Sequence, residues 1–265
     1  MHAAHPGFSA PYIVSGLLVG LLVGLTGVGG GSLMTPLLML IFGFSPSTAV
    51  GTDLLFAAIT KAVGTTIHSA GKTVDWRIVG RLACGSVPAT VLVLLGLAYF
   101  GTDSKAVAHA MSLTLGITLL ISATLLVLRE RITKIATQRD VARSAQRSLT
   151  LTIAVGFIVG ALVTLTSVGA GALGTIALLF LYPRLPIVRI VGSDIAHAVP
   201  LTLLAGLGHW YLGSIKIPLL EPLLVGSIPG VIVGSYAARY TPGRALKYAL
   251  AVMLVLVGVK LLGTV

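Results

Sequence analysis

Thr26-Gly27-Val28-Gly29-Gly30-Gly31-Ser32-Leu33 and Thr166-Ser167-Val168-Gly169-Ala170-Gly171-Ala172-Leu173 are two versions of one stretch, 140 positions apart in a chain of 265 residues. Both interrupt strongly apolar sequence. The likeness continues at nearly the same offset. Gly51-Thr52-Asp53 answers Gly192-Ser193-Asp194, His68 answers His209, and Gly85-Ser86-Val87-Pro88 answers Gly226-Ser227-Ile228-Pro229. The chain therefore reads as two copies of one unit, each breaking its apolar run with a glycine cluster. In a membrane protein, matched repeats with matched breaks indicate a transport site where the breaks meet. The competing reading is a structural duplication without transport.

Composition places the chain in a membrane. Hydrophobic residues make up 56% and charged residues 9%, against about 25% charged in a typical soluble domain. Apolar runs of spanning length recur from end to end. The 32 glycines and 12 prolines suit a helical bundle, where small residues let helices approach and neighbours satisfy freed backbone groups. The runs are continuous rather than alternating, which argues against a transmembrane β-barrel. The expected fold class is all-α. One cysteine, Cys84, excludes an internal disulfide and any multi-thiolate metal site. Met1 to Ala10 has no basic region, so no cleavable signal peptide is expected.

Five helical segments are expected per half. In the first they cover about 11–26, 32–43, 47–69, 77–100 and 105–128. In the second they cover about 149–166, 171–182, 187–211, 218–239 and 244–264. Residues 1–128 then form one repeat, 149–265 the other, and 129–148 a linker. That linker is the extended polar stretch of the chain, with six Lys/Arg and two acids. The second segment of each half has about 12 residues, hence ~18 Å, too short to cross a ~30 Å core upright. These read as half-helices whose glycine clusters lie within the membrane. Irregular backbone at that depth must be buried in protein or line a watery cavity.

Lys and Arg in the loops set the orientation. With the linker in the cytoplasm, 14 of the 18 Lys/Arg lie inside; Lys105, Lys216 and Lys260 lie outside, and Lys61 is within a helix. This asymmetry accounts for the net charge of +11 without nucleic acid as a partner. Each half makes an odd number of crossings, so the halves are expected to be inverted and both termini outside.

Two constellations are candidates for a site. The first is the glycine loop and the half-helix after it. Gly27, Gly29, Gly30 and Gly31 permit positive φ and close backbone approach, and Ser32 reads as an N-cap. A helix N-terminus offers free N–H groups and partial positive charge, a ready anion site. Ser167, Gly169 and Gly171 repeat the arrangement. The alternative is that these glycines serve helix packing alone. The second constellation runs along the third helix of each half. At 100° per residue from Asp53, Thr60 falls at about −20°, Gly64 at +20°, His68 at +60° and Lys61 at +80°. Asp194, His197, Thr202 and His209 form a comparable arc, with Pro200 expected to kink it. Ionisable groups this deep normally face a cavity or a partner.

Asp53 and Asp194 read in two ways, as coupling groups or as caps on backbone N–H groups of a neighbouring helix. Lys61 reads as a substrate-binding charge, since its repeat counterpart Thr202 is neutral; a cross-helix pair with Asp194 is the alternative. His68 and His209 are a matched pair near helix ends, where histidines are often interfacial. Both stand with His197 as candidates for coupling or gating. No HxxxH or CxxC spacing supports a metal site. No Gly-x-Ser-x-Gly, His-Glu-x-x-His or phosphate-loop motif supports an enzyme, and no cofactor motif is present.

Gly27-Val-Gly-Gly-Gly31 followed by Pro36, then Ala49-Val-Gly-Thr-Asp53, His68 with Gly71-x-x-x-Asp75, and the second copy resemble the TauE/SafE family of sulfite exporters. The resemblance covers nearly the whole chain. In the second copy Ala170 replaces a glycine and Ile176 stands where Pro36 has its counterpart. The resemblance implies bacterial or archaeal inner-membrane transport of a sulfur-containing anion such as sulfite, sulfoacetate or another organosulfonate. Uptake of a carboxylate is the alternative. The partners expected are a small anion and the lipid bilayer.

Overall fold

The computed structural model describes residues 10–26, 31–68, 74–138, 145–238, 240 and 243–263. Ten helices lie among them: α1 (Ala10–Thr26), α2 (Gly31–Leu40), α3 (Pro46–His68), α4 (Trp76–Phe100), α5 (Lys105–Gln138), α6 (Ala145–Thr166), α7 (Ala172–Leu181), α8 (Ile187–Tyr211), α9 (Ile217–Ala237) and α10 (Gly243–Gly263). No strand occurs among the described residues. Six helices are long and apolar enough to cross a membrane.

The second helix of each half is short, as the sequence predicts. α2 and α7 have 10 residues each, ~15 Å of rise. α2 stops where Gly43 takes φ 69° and the Phe44 N–H bonds the Leu38 carbonyl at 3.0 Å. α7 stops at Tyr182, one residue before Pro183, and Pro186 stands at the cap of α8. At longer helices the signals are equally local. Asp75 caps α4 by accepting from the N–H groups of Arg77 and Ile78, and Gly101 at φ 81° closes it. α8 is assigned as one helix through Pro200.

The fifth helix runs past its expected end. The fifth segment was expected to end near 128, but α5 continues to Gln138, and α6 begins at Ala145. The physical reason is a short apolar stripe, Ile132, Ile135 and Ala136, at helical spacing within the polar run. Ala136 is buried against Ile78, Leu82, Leu178 and Ile190.

Glycines set which helices touch. α1 lies against α9, and α4 against α6. A Cβ added at Gly226 would strike the Ile13 carbonyl, and one at Gly85 the Ile153 carbonyl. Such backbone approach is the usual device for packing helices in lipid. In each pair the first helix of one half meets the fourth of the other, in the same direction: Gly16 meets Leu223 and Gly24 meets Val231. α3 packs on α8 with opposite register, Gly51 against His209 and Gly206 against Leu55. α5 and α10 also run oppositely, with Gly116 against Leu262 and Leu120 against Gly258.

The packed interior holds Val19, Met34, Leu38, Phe56, Leu119, Leu223 and Leu254. Large apolar side chains also cover the outside, among them Leu18, Leu92, Val233 and Leu256. Exposed Trp76 opens α4, and exposed Tyr99 and Phe100 close it. Aromatic residues at both ends of a 25-residue helix match the interfacial belts of membrane spans. The centre of the molecule is polar by contrast: Thr35, Thr52, Asp53, Thr60, Asp194 and His197 are all buried.

Candidate functional site

The second glycine loop has the backbone its sequence requires. Ser167 has φ 59°, Gly169 121° and Gly171 113°. A non-glycine residue in the left-handed region is uncommon and marks a constrained turn. Thr166 holds the turn, its Oγ1 accepting from the Val168 N–H at 3.1 Å. Gly171 is the cap of α7, and no side chain caps it. Of the first loop, Gly27, Gly29 and Gly30 lie outside the described residues. Gly31 is the first residue of α2. Ser32 is therefore one residue inside the helix rather than at its cap, a correction to the sequence reading.

Each short helix is tied to the next helix by a carboxylate. Thr35 donates from both its N–H, at 3.2 Å, and its hydroxyl to Oδ2 of Asp53. Thr175 donates from its hydroxyl to Oδ2 of Asp194 at 2.7 Å. The threonines are 140 positions apart and the aspartates 141. The capping reading of the aspartates thus describes one oxygen of each. The other oxygen, Oδ1, has no hydrogen-bond partner in either case. Buried carboxylate oxygens normally have partners, because an unmet one costs free energy.

A cavity of about 70 Å³ brings the candidates together. Its wall includes Ser32 from the first turn of α2, Lys61 from α3, Ser167, Gly169 and Gly171 from the second loop, and Asp194 from α8. Both short-helix N-termini therefore border one space. Lys61 is half-buried, and Asp194 and then Asp53 are the acids whose charge acts on it. Three polar atoms of the wall are buried and without a hydrogen-bond partner: Ser122 Oγ, Ser167 Oγ and Asp194 Oδ1. The space suits a polar ligand. Hydroxyl donors, a lysine and helix N–H groups are chemistry that suits an anion, and the Asp194 carboxylate is a group able to take up a proton.

The histidines stand elsewhere. His197 Nε2 lies 2.8 Å from Ser86 Oγ, joining α8 to α4. His209 Nε2 lies 2.9 Å from the Thr164 carbonyl, so that nitrogen carries the proton. His209 is wholly buried in the protein, in the last turn of α8. Neither lines the cavity. His68 ends α3, and its side chain lies outside the described residues. Among the described residues no three of His, Cys, Asp and Glu gather as a metal site would require.

Sequence reading missed the α5 wall, Ser122 and Arg129, and also Thr175. Thr175 was legible in principle, since it answers Thr35 across the repeat. Ser122 and Arg129 sit seven residues apart, which places them on one face of a helix; that signal needed the true extent of α5.

Comparison with known proteins gives concordant results. The profile of a family described as Sulfite exporter TauE/SafE matches residues 12–261. The probable membrane transporter protein YjnA of Bacillus subtilis is 39% identical over 259 residues, covering 96% of this chain and all of that protein. A second Bacillus subtilis protein, the probable membrane transporter protein YdhB, is 28% identical over 92% of this chain and 96% of its own. The archaeal probable membrane transporter protein MJ0441 of Methanocaldococcus jannaschii is 26% identical over 82% of this chain and 80% of its own. No solved structure matches.

Proposed function

The chain belongs to the sulfite exporter TauE/SafE family of membrane transporters, and from that premise we propose that it carries a small sulfur oxyanion, such as sulfite, through the cavity between its two short helices. The observation that carries this reading is the convergence of Lys61, the Ser167–Gly171 turn and the unpartnered Ser122 hydroxyl on one space. Ser32 extends that site on the α2 side; for Gly27, Gly29, Gly30 and Gly31 the binding role rests on the sequence pattern alone. A cavity of about 70 Å³ holds a handful of waters at ~10–15 Å³ each. That supports a compact oxyanion over an aryl sulfonate. The free Oδ1 of Asp194 supports a proton-coupled cycle, in which the carboxyl takes a proton as the anion enters and so relieves like-charge repulsion.

The halves act as inverted repeats, 1–128 and 149–265. The opposite registers of α3 with α8 and of α5 with α10 support this. The basic segment after α5 lies in the cytoplasm and both termini lie outside, as the Lys/Arg asymmetry suggests. An Asp140→Cys variant on a Cys84→Ser background checks the sidedness; labelling by an impermeant reagent in intact cells would reverse it.

Purified protein in proteoliposomes tests the substrate. Saturable sulfite flux, competed by sulfoacetate and not by acetate, is expected. Saturable flux of a carboxylate with none of any sulfur oxyanion would overturn the assignment.

A further inference from the structure

We propose that Ser122 and Arg129 form a second anion station on the linker side of the cavity, through which substrate passes between the second glycine turn and water. This rests on the cavity being the transport site. Both residues line it. They are seven positions apart on α5, so they share a face and are separated by ~10 Å of rise. Leu125 and Leu126 complete the wall between them.

The two ends of this track differ. Ser122 is 4% exposed, and its hydroxyl has no partner. A buried serine in a transmembrane helix ordinarily bonds its own backbone, as Thr118 does with the Thr114 carbonyl, one turn earlier, at 2.7 Å. Ser122 instead keeps a free donor at the cavity wall. Arg129 is exposed and lies ~36 Å along α5 from its start at Lys105, more than the ~30 Å of a bilayer core. Its neighbour Glu130 is engaged by Lys247 at 2.9 Å, so the adjacent carboxylate is drawn toward α10. A guanidinium presents paired donors to an oxyanion and attracts it from water. α10, the counterpart of α5, contributes Leu254 to the cavity wall, so this track belongs to one half and faces one side of the membrane.

The test measures [35S]sulfite half-saturation from each face, in right-side-out and inside-out vesicles. Arg129→Gln is expected to raise the value five- to tenfold for sulfite presented at the linker face, with the opposite face within about twofold. Arg129→Lys should fall between. On a Cys84→Ser background, Arg129→Cys alkylated with 2-bromoethylammonium, which makes a lysine-like side chain, should recover to the Arg129→Lys value, and alkylation with iodoacetate should worsen the defect. Equal effects at both faces, or no effect, would overturn the station. Wild-type vesicles without saturable sulfite flux would overturn the transport reading beneath it, and the station with it.

Discussion

Thr35 and Asp53 tie α2 to α3 as Thr175 and Asp194 tie α7 to α8, yet the surroundings of the two clamps diverge. Asp194 lines the cavity and Asp53 does not. Gly174 lets the Asp194 carboxylate rest against the backbone of α7, while the matching position of α2 is Met34, wholly buried in the core. Lys61 reaches the cavity from α3, where α8 has Thr202 bonded to its own helix at the Ala198 carbonyl, 2.9 Å away. What the halves share holds the short helices in place. What they do not share gathers around one space. The repeated parts form the scaffold, and the parts that differ line the cavity beside it.

The largest effect should come from the most asymmetric residue. Lys61→Met is expected to raise the sulfite half-saturation concentration well above tenfold, a loss of more than ~1.4 kcal/mol, while Thr202→Val leaves transport nearly unchanged. Asp194→Asn separates two roles for the lysine. If Lys61 binds substrate, Lys61→Met/Asp194→Asn stays as defective as Lys61→Met alone. If the pair is structural, neutralising both restores expression and flux, because a single change strands a buried charge.

Next is the pair Gly174 and Met34. A Cβ at Gly174 would meet the Asp194 carboxylate, so Gly174→Ala should displace it and cut flux about fivefold, with expression largely kept. Met34→Ala should do the reverse. It empties a core position at a cost of ~2–5 kcal/mol and leaves flux per folded molecule close to normal. Thermal unfolding in detergent and flux normalised to folded protein distinguish the two. Similar outcomes for both would mean the cavity is not the functional difference between the halves.

How these parts were encoded explains which were readable. The repeat spacing exposed both glycine loops, both 10-residue helices and the aspartates, because each rests on residues that occur twice. Asp53 and Asp194 sit a few residues into helices that follow prolines, and that placement disclosed the capping role. The α5 wall was hidden for the opposite reason. Arg129 sits in a run of charges that composition assigns to a loop, and three apolar residues inside that run carry the helix to Gln138. Gly174 was hidden too: its meaning lies in a contact with Asp194, 20 positions later, which no local pattern marks.

Thr35→Val and Thr175→Val test the shared part. Each removes a hydroxyl from a buried carboxylate oxygen, so each should lower stability by ~1–3 kcal/mol. The two losses should be alike if the clamps are equivalent. Backbone N–H groups stand at both carboxylates, that of Thr35 at Asp53 and those of Gly171 and Thr175 at Asp194, so neither carboxylate is left without a donor. A several-fold larger effect of either variant on flux than on stability would move that clamp from scaffold to mechanism.

The smallest effects should come from the two histidines of α8, His197, which has no counterpart in the first half, and His209, which answers His68; neither lines the cavity. His197 is engaged with Ser86 and His209 with Thr164, each joining α8 to a helix beside it. Glutamine places a side-chain nitrogen near the Nε2 position and cannot take up a proton at neutral pH. His197→Gln and His209→Gln should therefore keep these contacts, and flux should stay within about twofold of wild type from pH 6 to 8. A histidine that serves coupling would behave differently: its glutamine variant would fold normally yet lose the pH dependence of sulfite flux. That result at either position would place the proton on α8 outside the cavity, and Asp194, with its unpartnered oxygen, would revert to a purely structural clamp like Asp53.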